Sequence, residues 1–326
     1  MNNHSIARFA SIIIPILIGI QNMTRAQISL GRPPVAPISK CDFCLAAQGI
    51  SPLEAGGSGA RLDIRYLRLG TVYEGGTREA NDEQETEWHL TQQYSVFYGL
   101  GPTTTISALI PVARRHSEAI DEQGETVTGD QFGLGDLSLL TRYRAIDEHE
   151  FTTTTIISLV GGVKLPTGRT TGTDSRGELL DAHIQLGTGS TDFLLGANYF
   201  GAADRFSAAV NVLAGVPTGG ANGHRFGPSL NYDATLRYRV YPEIIDTRMF
   251  FLGITAAGEE RGKEKEEGAI VENSGGGVLY LGPNAQVYLT PSLSFEATFQ
   301  YPVVHNLNGR QLGEDYRVMA GGMFLF

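Results

Sequence analysis

At 326 residues and a formal net charge of −10, the chain is long enough for one large domain and too acidic to suggest a nucleic-acid partner. Hydrophobic residues make up only 41% of it, yet it holds 41 Gly, 15 Phe and 13 Tyr. Alternating strands are half polar, so this balance excludes a bundle of apolar helices but not a β-protein set in lipid.

The chain opens with a weakly basic stretch, 1–8, then the apolar run 9–20, then Thr24-Arg25-Ala26. The run is too short to cross a bilayer as a helix, and small residues at 24 and 26 suit cleavage before Gln27. Residues 1–26 therefore read as a secretory signal peptide. Its removal takes away Arg8 and Arg25 and no acid. No later segment has 18 continuous apolar residues, so an exported protein remains: periplasmic, secreted, or an outer-membrane barrel.

Residues 27–60 read as a periplasmic segment holding the two cysteines, Cys41 and Cys44. No His follows the pair, which excludes c-type haem, and a lone C-x-x-C supplies only part of a structural metal site. An oxidising compartment favours a local disulfide between Cys41 and Cys44. The segment around 48–54 then fits a plug or collar at the periplasmic opening.

From 61 to 326 the chain parses into twelve alternating segments: 61–73, 86–98, 103–115, 132–145, 151–165, 183–200, 205–217, 229–240, 248–258, 275–289, 292–303 and 315–326. In 293–301, Leu293, Phe295, Ala297, Phe299 and Tyr301 alternate with Ser294, Glu296, Thr298 and Gln300. One face suits lipid and the other suits water. Connections after the even segments are short: 99–102, 146–149, 201–204, 241–247 and 290–291. Those after odd segments are long and polar: 74–85, 116–131, 166–182, 259–273 and 304–315. That asymmetry predicts a transmembrane antiparallel β-barrel of about 12 strands, residues 61–326, with both termini periplasmic. The closing stretch, 316–326, alternates up to an aromatic Phe326, as a last barrel strand does, and resembles the signal read by the outer-membrane insertion machinery.

Two segments change phase. Leu62, Ile64 and Tyr66 give way to Leu67, Leu69 and Thr71, and Gln185-Leu-Gly-Thr-Gly-Ser-Thr-Asp192 interrupts the sixth. A bulge at each would restore the faces. Pro111, Pro166, Pro217 and Pro302 fall near the ends of odd segments, pointing inward at the extracellular mouth, as strand stops or as an inward-folded rim. An unpaired charge is costly against lipid, so the charged residues of the strands are assigned to the lumen: Asp63, Arg65, Glu87, His89, Asp136, Arg142, Arg144, Asp192, Asp233, Arg237, Arg239, Glu296 and Arg317. They form either a structural ion-pair network or a polar step in a transport path.

Phe132-Gly-Leu-Gly-Asp136, Gly162-Val-Lys-Leu-Pro-Thr-Gly168 and Gln185-Leu-Gly-Thr-Gly-Ser-Thr-Asp192 resemble motifs of the outer-membrane transporter family linked to the phenol-degradation meta-pathway. The N-terminal Cys-x-x-Cys with Gly49-Ile-Ser-Pro-Leu-Glu54 resembles a subgroup of it. The likeness spans most of 40–326. It implies a porin-like barrel in the outer membrane of a Gram-negative bacterium, tied to uptake of small, often aromatic or apolar, solutes. The family supplies no site residues to carry over. Expected partners are outer-membrane lipid, a small-molecule solute and the insertion machinery, with no nucleic acid, cofactor or metal. No Gly-x-Ser-x-Gly nucleophile motif occurs, so an enzyme is not expected. The alternatives are a barrel that docks an envelope partner through its cysteine segment, and an outer-membrane hydrolase.

Overall fold

The computed structural model describes residues 56–149, 153–242 and 248–326. The expected signal peptide, the Cys41–Cys44 disulfide and the plug at 48–54 lie outside these residues.

Twelve strands build one closed antiparallel barrel. They are β1 (Ser58–Glu74), β2 (Thr86–Gly99), β3 (Thr104–Ile120), β4 in two pieces (Thr126–Leu134 and Ser138–His149), β5 (Thr153–Lys164), β6 (Asp192–Ala203), β7 (Phe206–Pro217), β8 (Ser229–Tyr241), β9 (Met249–Arg261), β10 (Gly276–Thr290), β11 (Leu293–Leu307) and β12 (Arg310–Leu325). Each pairs with its neighbours in chain order, and β12 returns to pair with β1 from Gly59↔Leu325 to Glu74↔Arg310. Period-2 sequences produce this wall because successive side chains point to opposite faces. The outcome inverts a soluble sheet. Gln93 on the inner face is 3% exposed, whereas Leu195 on the outer face is 71% exposed. An apolar exterior around a polar interior suits a wall surrounded by lipid.

Four corrections to the expected layout share one cause: the ladder extends well past the part that must cross a bilayer, or stops short of it. Residues 116–131 are not a loop. They continue β3 and β4 as a tall hairpin, Ile120↔Thr126, turning at 121–125. Residues 304–315 are likewise the tops of β11 and β12, joined by Asn308-Gly309, where Gly309 takes φ 73°. In the other direction, β6 begins at Asp192 rather than 183, so 183–191 belongs to a long connection, 165–191. The fourth strand continues through Ile146 to His149, so its short connection falls at 150–152, outside the described residues.

The phase change in β1 also resolves differently. Leu67 and Leu69 keep the inward phase of Arg61, Asp63 and Arg65 and are completely buried. They pack with Val72 and Leu312 inside the barrel. The register shifts fall at Arg68/Leu69 and Leu69/Thr71. This apolar cluster sits among charged neighbours, since Leu67 is paired with His89 and Arg317 and Leu69 with Glu87 and Glu314. Two of the prolines sit within strands: Pro111 midway along β3, and Pro302 in β11 opposite Tyr280, beside a register shift in β10. Pro217 ends β7 and is buried, and Pro166 follows β5 and is exposed. Pro111, Pro217 and Pro302 are buried, as an inward phase requires, whereas Pro166 is not. Beyond the wall, His224–Arg225, Lys265–Glu266 and Ala269–Ile270 form a small separate antiparallel sheet that joins connection 218–228 to connection 262–275.

Candidate functional site

The candidate site is the barrel interior, which carries three polar clusters beside the apolar one of Leu67, Leu69, Val72 and Leu312. The first lies near the chain termini. Arg61 pairs with Asp63 at 2.7 Å and approaches Glu296 at 3.9 Å. Arg237 pairs with Glu296 and donates to Asn284 Oδ1 at 2.6 Å. Asn284 donates in turn to Glu296 at 2.8 Å and to Thr298 Oγ1 at 2.7 Å. Asn198 donates to Asn211, which donates to Asp233 at 2.9 Å. These charges come from β1, β8 and β11, so the cluster reaches across the barrel. A glycine makes room for it. A Cβ at Gly321 would lie 2.2 Å from Asp63 Oδ1.

The second cluster sits higher. Arg317 pairs with Glu314 at 3.0 Å and lies 3.7 Å from Glu259, which holds Arg261 at 2.6 Å. The Arg317 guanidinium covers the Tyr280 ring at 3.6 Å. Arg317, Glu314 and Glu259 are almost fully buried, where ion pairs persist only with dense compensation.

The third cluster anchors connection 165–191. Lys164, the last residue of β5, lies 2.6 Å from Asp192 and 3.5 Å from Asp136. Asp136 accepts from Gly168 N at 2.9 Å, Thr188 N at 2.8 Å and Thr188 Oγ1 at 2.7 Å. Ser190 Oγ donates to Asp192 at 2.6 Å. Where the connection meets itself, Gly168 and Gly187 touch: a Cβ on Gly187 would lie 2.2 Å from Gly168 O. Farther along, Arg115 of β3 donates to the carbonyls of His183 and Gln185 at 2.9 and 2.7 Å. Leu180 packs where Gly129 has no side chain, and Leu186 packs at Gly133. The upper piece of β4 has β3 as its ladder partner among the described residues, and this connection covers its inner side.

Between the clusters lies a cavity of about 140 Å³ whose lining includes Arg142, Asn211, Asp233, Arg237, Tyr288 and Glu296. Of the remaining sequence candidates, Glu87 lies 3.3 Å from His89, both buried on β2. Arg65 and Arg239 are buried on the inner face. Arg144 sits apart, at the turn end, where it pairs with Asp147 and donates to Pro102 O at 2.9 Å. At the mouth, burial, followed by the nearby Glu83 and Asp181, pushes the Glu85 carboxyl up to about 8. Sequence reasoning passed over Arg61, Arg115, Lys164, Glu259 and Glu314. Arg61 shares the phase of Asp63 and Arg65 and was open to the same argument. The other four had been assigned to connections or fell near strand ends, where alternation gives no instruction.

The family model described as "Putative MetA-pathway of phenol degradation" matches residues 70–316. The chain belongs to this family. The three motifs that carried the resemblance meet in space: Asp136 from the first, Lys164 and Gly168 from the second, and Thr188, Ser190 and Asp192 from the third form one hydrogen-bonded cluster. In this member of the family, then, the motif residues fix connection 165–191 to the wall. Among solved structures, an outer membrane channel from Pseudomonas putida F1 matches with TM-score 0.64 and 15% identity, covering 85% of this chain and 100% of that chain. That likeness establishes the fold. The translocator domain of autotransporter NalP from Neisseria meningitidis matches more loosely, with TM-score 0.44 and 13% identity over 86% of this chain and 92% of that one. No curated protein sequence matches significantly.

Proposed function

We propose that the protein is a channel in the outer membrane of a Gram-negative bacterium that passes small aromatic solutes bearing a hydroxyl group. It acts as a conduit and not as a catalyst, with both termini on the periplasmic side and connections 75–85, 165–191, 218–228 and 262–275 outside. Family membership and the apolar outer wall support the setting.

The observation that carries the solute class is the interior itself. An engineered cavity of about 150 Å³ takes a benzene, and the space here is about 140 Å³. Its lining combines Tyr288 with amides, hydroxyls and charges, so it offers a ring surface together with hydrogen-bonding partners for a hydroxyl.

Proteoliposome uptake tests this reading. 4-Hydroxybenzoate crosses lipid slowly as an anion, so its entry reports the protein. Uptake above that of glucose, reduced by Arg237→Ala, is expected. Entry of 4-hydroxybenzoate no faster than in protein-free vesicles would overturn the proposal.

A further inference from the structure

Three side chains converge outside the wall, each from a different connection. His183 belongs to 165–191, His224 to 218–228 and Glu264 to 262–275. His183 Nε2 and His224 Nε2 each lie 3.1 Å from the same carboxylate oxygen, Glu264 Oε2, and the three donor atoms all lie within 4.8 Å of one another. His183 and Glu264 are almost fully buried, and His224, at 15% exposed, is the most open of the three.

Hydrogen bonding alone accounts poorly for this arrangement. His224 Nε2 is buried and close to the oxygen, yet lies off the line of a hydrogen bond. As neutral Nε2–H tautomers both rings could donate to this oxygen, yet only His183 is placed to do so. A divalent cation among the three atoms would engage all of them, because both nitrogens and the oxygen then act as donors to it. Tetrahedral ligation at about 2.0–2.1 Å sets neighbouring donor atoms about 3.3 Å apart, so each histidine–Glu264 pair, now at 3.1 Å, would need to open by only a few tenths of an ångström.

The surroundings hold the three residues in place. Phe226 packs edge-on to His183 and His224, at 5.2 and 4.6 Å between ring centres. The backbone N–H of Glu264 donates to Ser274 Oγ at 2.9 Å, and Ser274 donates to Val271 O. The backbone N–H of His183 donates to Asp181 Oδ1 at 2.7 Å, while its carbonyl is held by Arg115. His224 pairs with Glu266 in the small sheet.

We propose that His183, His224 and Glu264 form a binding site for a divalent transition metal of the zinc class, which ties three mouth connections together. Two imidazole donors disfavour magnesium and calcium, which take oxygen ligands. Three protein ligands leave a fourth position for water. The bound ion would cross-link 165–191, whose two ends Asp136 clamps at Gly168 and Thr188, to the two connections that share the small sheet.

The test uses full-length protein carrying Cys41→Ser and Cys44→Ser, so that no thiol competes, with no histidine tag and stripped by chelator. Equilibrium dialysis against zinc should load one ion per chain, unaffected by excess magnesium. His224→Gln and Glu264→Gln should each weaken binding by roughly tenfold or more. Should either variant fail to show the heat-dependent gel shift of a folded barrel, the unsubstituted histidines supply the answer. Zinc should then shield His224 from diethylpyrocarbonate and slow tryptic cleavage at Arg169 and Arg176. Absence of stoichiometric zinc, or zinc held equally well by both folded variants, or zinc that leaves histidine modification unchanged, would overturn the site.

Discussion

The two oxygens of Asp136 serve Lys164, Thr188 and the Gly168 amide at once. Without them Lys164 keeps Asp192 at 2.6 Å, but the Gly168 and Thr188 donors lose their acceptor, at about 1–3 kcal/mol for each buried group left unpaired. Asp136→Ala should therefore release connection 165–191 while the barrel stays closed. Trypsin should cut faster at Arg169 and Arg176, and the mean single-channel conductance should rise. Unchanged cleavage and conductance in a folded variant would refute that role. Glu85 provides a different handle. Its carboxyl ionises near 4.5 in an unfolded chain and is pushed up to about 8 in the folded one. Between those values the folded protein retains a proton that the unfolded chain has released. Its contribution to stability is thus fully present below about 4.5 and is lost as the pH rises through about 8. The melting temperature in detergent should fall across that window, and Glu85→Gln should flatten the fall. A wild-type curve with the same slope as the variant would show that Glu85 is not the group responsible.

Strand existence was legible because each crossing strand needs polar residues on one side and apolar residues on the other. Leu236 and Arg237 show this well: the first is half exposed and the second is buried in the cavity lining. Strand height was not legible. In the hairpin at 116–131, Glu118, Asp130 and Gln131 sit on a ladder that stands clear of lipid, and nothing there forces an apolar face. The inward leucines of β1 misled because the usual faces are reversed there: Leu67 and Leu69 point inward while Arg68 between them is exposed. The inward phase of Asp63 or Glu296 could be read from the sequence. Its partners could not, because Arg61, Arg237 and Glu296 meet across the barrel from strands far apart in the chain. At this scale, the Gly168–Gly187 contact yields a test. Gly187→Val places a side chain where only 2.2 Å is available, so the ends of connection 165–191 must separate. The expected result matches Asp136→Ala in direction: faster proteolysis of that connection, with a normal heat-dependent gel shift. Protection equal to wild type would mean that the contact is incidental.

For the whole molecule the orientation is the first thing to establish. An epitope inserted at 79–82 or at 267–268 should be reached by antibody on intact cells, and one at 100–103 only after the envelope is permeabilised. Labelling at 100–103 in unbroken cells would reverse the proposed orientation. The seam between β1 and β12 has a consequence of its own. Every other neighbouring pair is consecutive in the chain, so those ladders can form as each strand arrives. The seam instead joins Gly59 to Leu325, and until it forms both end strands expose bare ladder edges beside apolar faces. Once it has formed, the ring has no end from which to fray. Loss of structure must begin by breaking a continuous ladder, and a barrier of that kind governs lifetime more than equilibrium stability does. Copies of this protein should therefore disappear from a growing population chiefly by being shared out at division.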